Sequence, residues 1–557
     1  MTVITSKYKS DEARLFVEDV AYNDYYLFTS SISNTTVENT AVSKRSFLEK
    51  TIFGKKLLSE NVFYVIKNNV WQTGEAYAQY DDAADLEDKK YYTVVYPQDN
   101  TTGDYKIYKC LFNNYSSLST SPPNYQTTTP DQIYIMPDGY IWKYMYSLTV
   151  SEFNKYNTRG YIPIIEPSVA ANTVISSTST VDQVFVTNKD QNAGYENVIG
   201  TIFQVLRAPV NTITLTPNAG SGLNGIANYY SGYSFYVTNQ NTRSQVYEIN
   251  TYSFNATTGR ATITLVEGTP LDSILVDAAD FNILPRVEIK GDGSGAIAIP
   301  SVNTSGSIVS VTVLNKGSNY THATAVVVDP FAFNPSATGS LDTRVILRPV
   351  LSPEGGHGTN ISDELSSTRV LAYTELDAVD NTFIPYTNSY SSIGIVKNPE
   401  FKEVTYPTIF DNRIELAVDT NPLAVNETVT QIETANTNSD FFNNTRFSAK
   451  VHAVSGDYVY LAEYSGPYPN DQGTYANTDF SDISLDINLP LISSKSQLIA
   501  INTDNSPAYT GNYDSTYPGF KLSPYVQRTG EVYYMHSFRP ITRTASSREQ
   551  FKIVLEF

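Results

Sequence analysis

Apolar and polar residues alternate with a period of two over much of the chain, and that period belongs to β-strands. Tyr91-Tyr92-Thr93-Val94-Val95-Tyr96 and Tyr105-Lys106-Ile107-Tyr108-Lys109-Cys110-Leu111 flank a turn-rich Asp-Asn-Thr-Thr-Gly-Asp segment, the pattern of a hairpin with a medium loop. The turn pair Asp138-Gly139 introduces a further strand, Tyr140 to Leu148. Later runs of the same kind are Val184 to Lys189, Val311 to Lys316, Val425 to Gln431, Ser448 to Val454 and Tyr458 to Ala462. Glu531 to Met535 and Phe551 to Phe557 complete the set.

Helical spacing is rarer. Ser10 or Asp11 is placed to cap a helix running to Val20, with Phe16, Val17 and Val20 on one face. A second helix is expected from Val42 to Phe53, its apolar face made by Phe47, Leu48 and Ile52 and its end marked by Gly54. A third lies near Ser362 to Ser366. The expected fold is therefore mostly β with a few short helices, a β-rich α+β chain built from several antiparallel β-sandwich domains.

A chain of 557 residues suits three or four cores, at roughly 150 residues per domain. Residues 1–168 mix helices and strands. Residues 169–350 are poor in charge and rich in Thr, Ser, Asn, Val and Gly, and carry a weak internal repeat. Val184-Phe185-Val186-Thr187-Asn188-Lys189 leads to Gly194-Tyr195, as Val311-Thr312-Val313-Leu314-Asn315-Lys316 leads to Asn319-Tyr320. Two copies are too few for a solenoid. Residues 351–490 form a β domain opening on a glycine-rich loop, and 491–557 supply strands returning to the core.

Composition narrows the function. The formal charge is -19, and nucleic-acid binding draws its affinity from Lys and Arg on phosphates, so nucleic acid is not the expected partner. No stretch approaches the roughly 20 apolar residues of a membrane span, so membrane insertion is not expected either. The 43 Tyr and 25 Phe speak against disorder and favour strands and aromatic contacts. The single cysteine, Cys110, has no intramolecular disulfide partner, and the first residues lack a signal-like apolar run. Both features fit a protein made in a reducing cytoplasm.

Catalytic signatures are not found. His322, His357, His452 and His536 lie outside metal-ligand spacing of one another. Gly54-Lys55-Lys56 lacks the rest of a phosphate loop, and Gly291-Asp292-Gly293-Ser294-Gly295 reads as a β-turn. Carboxylates are plentiful enough for a paired glycosidase site, but clusters such as Asp81, Asp82 and Asp85 read as solvated loop charge. His357, inside a glycine-rich turn, is the most site-like histidine, and a structural or solvated role is expected for it. No enzyme activity, cofactor or metal is expected.

Several stretches share order, spacing and aromatic detail. They are Asn61-Val62 with Trp71-Gln72-Thr73-Gly74, Tyr77 and Tyr80-Asp81; Tyr105 to Leu111; Asp138-Gly139-Tyr140-Ile141-Trp142-Lys143-Tyr144-Met145-Tyr146; and Tyr161-Ile162-Pro163. Near the C-terminus come Gly530 to Met535, Arg539-Pro540-Ile541-Thr542-Arg543 and Phe551 to Phe557. Together these resemble the baseplate wedge subunit known as gene product eight of T-even-type contractile-tail phages. The loop Ser352-Pro353-Glu354-Gly355-Gly356-His357-Gly358 with Glu364-Leu365 looks like the longer, cyanophage-like form of that family. Residues 169–350 and 400–490 depart from the shorter form and look like inserted β modules. The resemblance implies a non-enzymatic virion protein of the tail baseplate, assembled in the host cytoplasm. It implies a homodimer that joins other wedge proteins and has no catalytic residues.

The motif residues also have a plain physical reading. Alternation puts Tyr140, Trp142, Tyr144 and Tyr146 on one face and Ile141, Lys143 and Met145 on the other. Such a face belongs to a core or an interface, and a mid-strand Trp142 favours the core. Trp71, Gly74, Asp138, Gly139, Trp142, Gly355, Gly356, His357 and Gly358 are the candidate structural motif, with Gly139 expected at positive φ. Arg539, Pro540 and Arg543 are expected in a loop between the last two strands and are candidate interface residues. Two other readings compete with the wedge subunit. One is a trimeric tail fibre or receptor-binding adhesin. The other is a depolymerase that hydrolyses surface sugars.

Overall fold

A computed structural model describes the chain apart from residues 1–4, 32–40, 98–102, 124–132, 166–178, 189–191, 208–210, 240–242, 267–272, 329–343, 355, 378–388, 402–405, 433–444, 466–484, 486–488, 503–519, 522–523 and 543–547. The fold is mostly β, and its sheets are antiparallel. It divides into two compact units. The first comprises Met1–Lys67, Glu152–Ile164 and Ser367–Phe557, the second Asn68–Ser151 and Ile165–Ser366. Both are assembled from segments distant in the chain.

In the first unit a helix spans Ser6–Tyr22. It starts ahead of Ser10 because Thr5 is the cap, its hydroxyl accepting the Tyr8 N–H at 3.3 Å. Ala13, Phe16 and Val20 are buried at helical spacing, and Phe16 stacks on Tyr533 at 5.0 Å. The second helix is shorter than expected, Ala41–Glu49, and still buries Phe47 and Leu48. Ile52, Phe53 and Gly54 belong instead to a strand, Thr51–Lys56. Gly54 is not a helix stop. It lies beneath aromatic rings, and a Cβ there would come within 2.4 Å of Phe410 and 2.9 Å of Phe28.

A five-stranded sheet runs in the order Ile409–Asp411, Thr51–Lys56, Tyr25–Ser30, Ser389–Lys397, Glu531–Thr542. Its middle strand is buried at all six positions. A four-stranded sheet orders Arg548–Glu556, Arg369–Asp377, Val62–Lys67 and Tyr161–Pro163. Residues from both ends of the chain thus share two sheets. A seven-stranded sheet holds the hairpin Thr445–Ser455 with Tyr458–Ser465, turning at Gly456-Asp457 as the pattern implies.

The strand Glu531–Thr542 corrects one expectation. Arg539 and Pro540 lie on it and not in a loop. Ser392 pairs with Ser537 and Tyr390 with Ile541, so residues 538–540 face Ser391 alone. Such a bulge is where a strand tolerates proline, because no ladder hydrogen bond is asked of it. Arg539 is exposed. Arg543 lies outside the described residues.

In the second unit the expected hairpin forms from Tyr92–Val95 and Asp104–Asn113, and Tyr140–Thr149 and Ile133–Ile135 extend the sheet. Tyr144 pairs with Tyr108 and Trp142 with Cys110, but Tyr146 pairs with Ile107. Met145 is therefore an extra residue that resets the alternation. Tyr140, Trp142 and Tyr144 share one aromatic core with Tyr77, Tyr108 and Tyr134, while Tyr146 is turned away from it, buried beside Ile107.

Within the stretch expected to form sandwiches, the strands Val198–Leu206, Thr212–Pro217, Arg260–Leu265, Arg243–Asn255, Ser234–Asn239 and Asp280–Leu284 close into a barrel in that order. Its core is apolar and aromatic, centred on Ile213, Phe235, Ile263 and Phe281. Both copies of the sequence repeat lie outside the barrel, in a six-stranded sheet where Val184 pairs with Val311. Their closing residues, Tyr195 and Tyr320, are both buried.

Candidate functional site

The strand Asp104–Asn113 carries Lys109 on the face opposite Tyr108 and Cys110, beside Ile107. Its side chain is fully buried. A lysine can sit there only if its charge is answered. Its ammonium contacts the Glu364 carboxylate, lies 2.7 Å from Nδ1 of His357, and sits 4.3 Å from the centre of the Tyr80 ring. Glu364 closes the short helix Ile361–Glu364, which Asn360 caps by accepting the Asp363 N–H at 3.1 Å. The second oxygen of Glu364 accepts the Gly358 N–H at 2.6 Å.

His357 links this pair to a second one. Lysine has only donors to offer, so Nδ1 of His357 accepts from Lys109 and Nε2 donates to Asp182. Asp182 stands on the strand Val181–Val186, and its other oxygen accepts from Lys316 at 2.8 Å. Lys316 belongs to Ile308–Ser318 and is 46% exposed, against 6% for Asp182. The series Lys109, Glu364, His357, Asp182 and Lys316 therefore runs from the interior to the surface with two positive and two negative side chains.

Burial by itself would push both carboxyls up. For Glu364 burial is the largest influence, but Lys109 and His357 together outweigh it and hold the group down at about 2. For Asp182 the contacts from His357 and then Lys316 do the same, holding it well below the usual carboxylate range. Burial pushes Lys109 down, opposed by Glu364. Tyr80, beside all of them, is pushed up by burial and by Glu364.

The loop that presents His357 is shaped by glycine. Gly356 and Gly358 have φ of 89° and 93°, conformations that side chains rarely adopt. Gly355 lies outside the described residues. His357 is buried and structural, so the solvated role left open for it does not apply. Both ring nitrogens are occupied, and the cationic place among its carboxylates is taken by lysine. Among the described residues, no group of three or more His, Cys, Asp and Glu could hold a metal ion. The arrangement ties the loop to two sheets and leaves no free base.

Elsewhere in the unit three motif residues, Trp71, Gly74 and Asp138, gather around Ser119, and Gly139 and Trp142 follow on the adjoining turn and strand. Trp71 donates its indole N–H to the Ser119 hydroxyl at 3.2 Å, and Gly74, at φ 80°, donates its N–H to the Ser119 carbonyl at 2.7 Å. Asp138 accepts from the Ser119 hydroxyl and from the N–H groups of Thr120, Ser121 and Tyr140 at 2.8–3.1 Å. Burial would raise its carboxyl, and these backbone bonds outweigh it and lower it. Gly139 has φ 83° as the turn requires, and a Cβ there would meet the Asn114 side chain at 2.8 Å. Trp142 is fully buried and stacked on Tyr140 at 5.5 Å.

Asp82 and Asp85 are exposed loop charge as expected, and Asp81 is half-buried. Asp81 accepts from Arg348 at 2.6 Å, and Asp82 accepts the Leu351 N–H at 3.2 Å. Of the charged network, the sequence pointed to His357 alone. A signal for Lys109 was available, since period two places it beside Ile107 at an apolar position. Glu364 figures only as part of the loop motif and Lys316 only as part of the repeat, and Asp182 gives no signal. No protein-family model and no curated protein matches the chain. Among the described residues, no helix is long and apolar enough to cross a membrane.

Proposed function

We propose that this chain is a structural, protein-binding subunit of a phage tail baseplate wedge. It acts without catalysis, pairs as a homodimer, and joins other wedge proteins in the virion. The reading starts from the ordered aromatic motifs that resemble the gene product eight family. One observation carries it further. The side chains with the most chemistry to offer, Lys109, His357, Asp182 and Glu364, are spent on one another. They brace a loop between sheets, and all four are engaged with one another instead of facing a substrate. That is what a static scaffold needs, because loops held rigidly can dock repeatedly against neighbours.

The test is co-purification of the chain with the tail proteins encoded beside it, together with sedimentation of the chain alone. A dimer that captures those proteins is the expected result. A trimer that adheres to host cells and ignores them would replace this reading with the fibre or adhesin one.

A further inference from the structure

A cleft of about 370 Å³ opens on the second unit, within the range of roughly 300–1,000 Å³ typical of small-ligand sites. One wall comes from the strand Asp104–Asn113 and the turn after it, and the other from Val181–Val186 and Arg348. Three consecutive residues of that turn, Asn114, Tyr115 and Ser116, have φ of 46°, 58° and 65°. Such a run is costly for side-chain-bearing residues and persists only where the surroundings enforce it. Asn113 enforces it here. Its buried side chain accepts the Ser116 N–H and donates to the Tyr77 carbonyl, each at 3.0 Å. The result is that the Tyr115 ring is 41% exposed at the cleft, edge-on to Phe112 at 5.2 Å.

The opposite wall adds a third ring, Phe185, with the Arg348 guanidinium 5.3 Å from its centre. Arg348 remains 37% exposed, and its charge is answered by Asp81. Gln79 also lines the cleft, and its Oε1, buried at the wall, has no hydrogen-bond partner among the described residues. The cleft therefore offers one exposed ring, Tyr115, beside the half-buried Phe112 and Phe185, with planar amide and guanidinium groups and a balanced charge. A phosphate or carboxylate would have to compete with Asp81 for the guanidinium. A purely apolar ligand would leave the polar groups unanswered. A ring with an apolar C–H face and several hydroxyls meets both demands.

We propose that this cleft binds a neutral saccharide unit, its apolar face against Tyr115 and its hydroxyls on Gln79 and Arg348. This goes beyond the scaffold role and does not depend on it. The test is saturation-transfer NMR of the whole chain with methyl glycosides of glucose, galactose, mannose and N-acetylglucosamine, with glucuronic acid as the charged control. At least one neutral glycoside is expected to bind with a dissociation constant on the order of 1 mM. Tyr115→Gly, which removes the ring and relieves the backbone, should weaken that binding at least tenfold and leave the melting temperature unlowered. Phe185→Leu should weaken it without unfolding the sheet. Transfer to glucuronic acid alone would overturn the proposal, as would binding unchanged in both variants. No transfer to any glycoside would overturn it too, and so would protection of the cleft by a bound tail protein.

Discussion

Two neighbouring parts of the second unit are built on opposite principles. The barrel closes around an apolar and aromatic core of Ile213, Phe235, Ile263 and Phe281, and Tyr229 and Tyr230 donate their hydroxyls to Glu196 at 2.9–3.0 Å. The loop at His357 is held by charge. Lys109 and Glu364 are as buried as any barrel residue, yet their hold depends on every partner being present. Apolar contacts are non-directional and give way gradually. A buried ion pair specifies one arrangement and fails sharply when one member is removed. The difference assigns the barrel to stability and the network to the placement of one loop.

Removing a single charge should show the sharp failure. Lys109→Met strands Glu364 and His357 and should destabilise the protein by about 3–5 kcal/mol in urea unfolding. Lys109→Met with Glu364→Leu should recover much of that loss. If the double variant were as unstable as the single one, the network would be no more specific than ordinary packing. In the barrel, Ile263→Ala should cost about 2–5 kcal/mol through the cavity it leaves, whatever the pH. A strongly pH-dependent cost there would blur the contrast. Gly358→Ala comes next, at about 1–3 kcal/mol. No atom lies within 4 Å of its added Cβ, so the cost is in the backbone at φ 93° and should fall on the loop.

Acid gives the smallest effect. The Glu364 and Asp182 carboxyls are depressed in the folded chain, so their contribution is complete above the unfolded values near pH 4. It fades as the pH falls toward about 2, where Glu364 takes up its proton. Between pH 5 and pH 3 the natural chain should lose more stability than the Lys109→Met/Glu364→Leu variant. Equal losses would mean that the network carries no acid sensitivity.

The same contrast explains what could be read from the sequence. Strands declare themselves locally, and the hairpin at Tyr92–Val95 and the long strand from Tyr140 follow from alternation. Parity is another matter. The extra residue at Met145 moves Tyr146 to the other face, and nothing within the strand announces it. Gly54 looked like a helix stop because its partner, Phe410, is hundreds of residues away. Barrel closure rests on Val198–Leu206 meeting Asp280–Leu284, again a distant pairing. The charged network is the extreme case, since His357 finds its partners at 109, 182 and 364. The Arg539-Pro540 pair misled for a different reason: proline argues against a strand unless a bulge receives it.

The sharing of two sheets by both ends of the chain has a consequence in time. A ribosome adds about 5–20 residues per second, so roughly 15–60 s separate Lys67 from Ser367. Throughout that interval the buried strand Tyr25–Ser30 has its neighbour Thr51–Lys56 but not Ser389–Lys397. All segments of the second unit emerge before the first can close. Synthesis thus imposes an order in which the inner segments can settle while an apolar strand edge waits, open to chaperones or to another nascent chain.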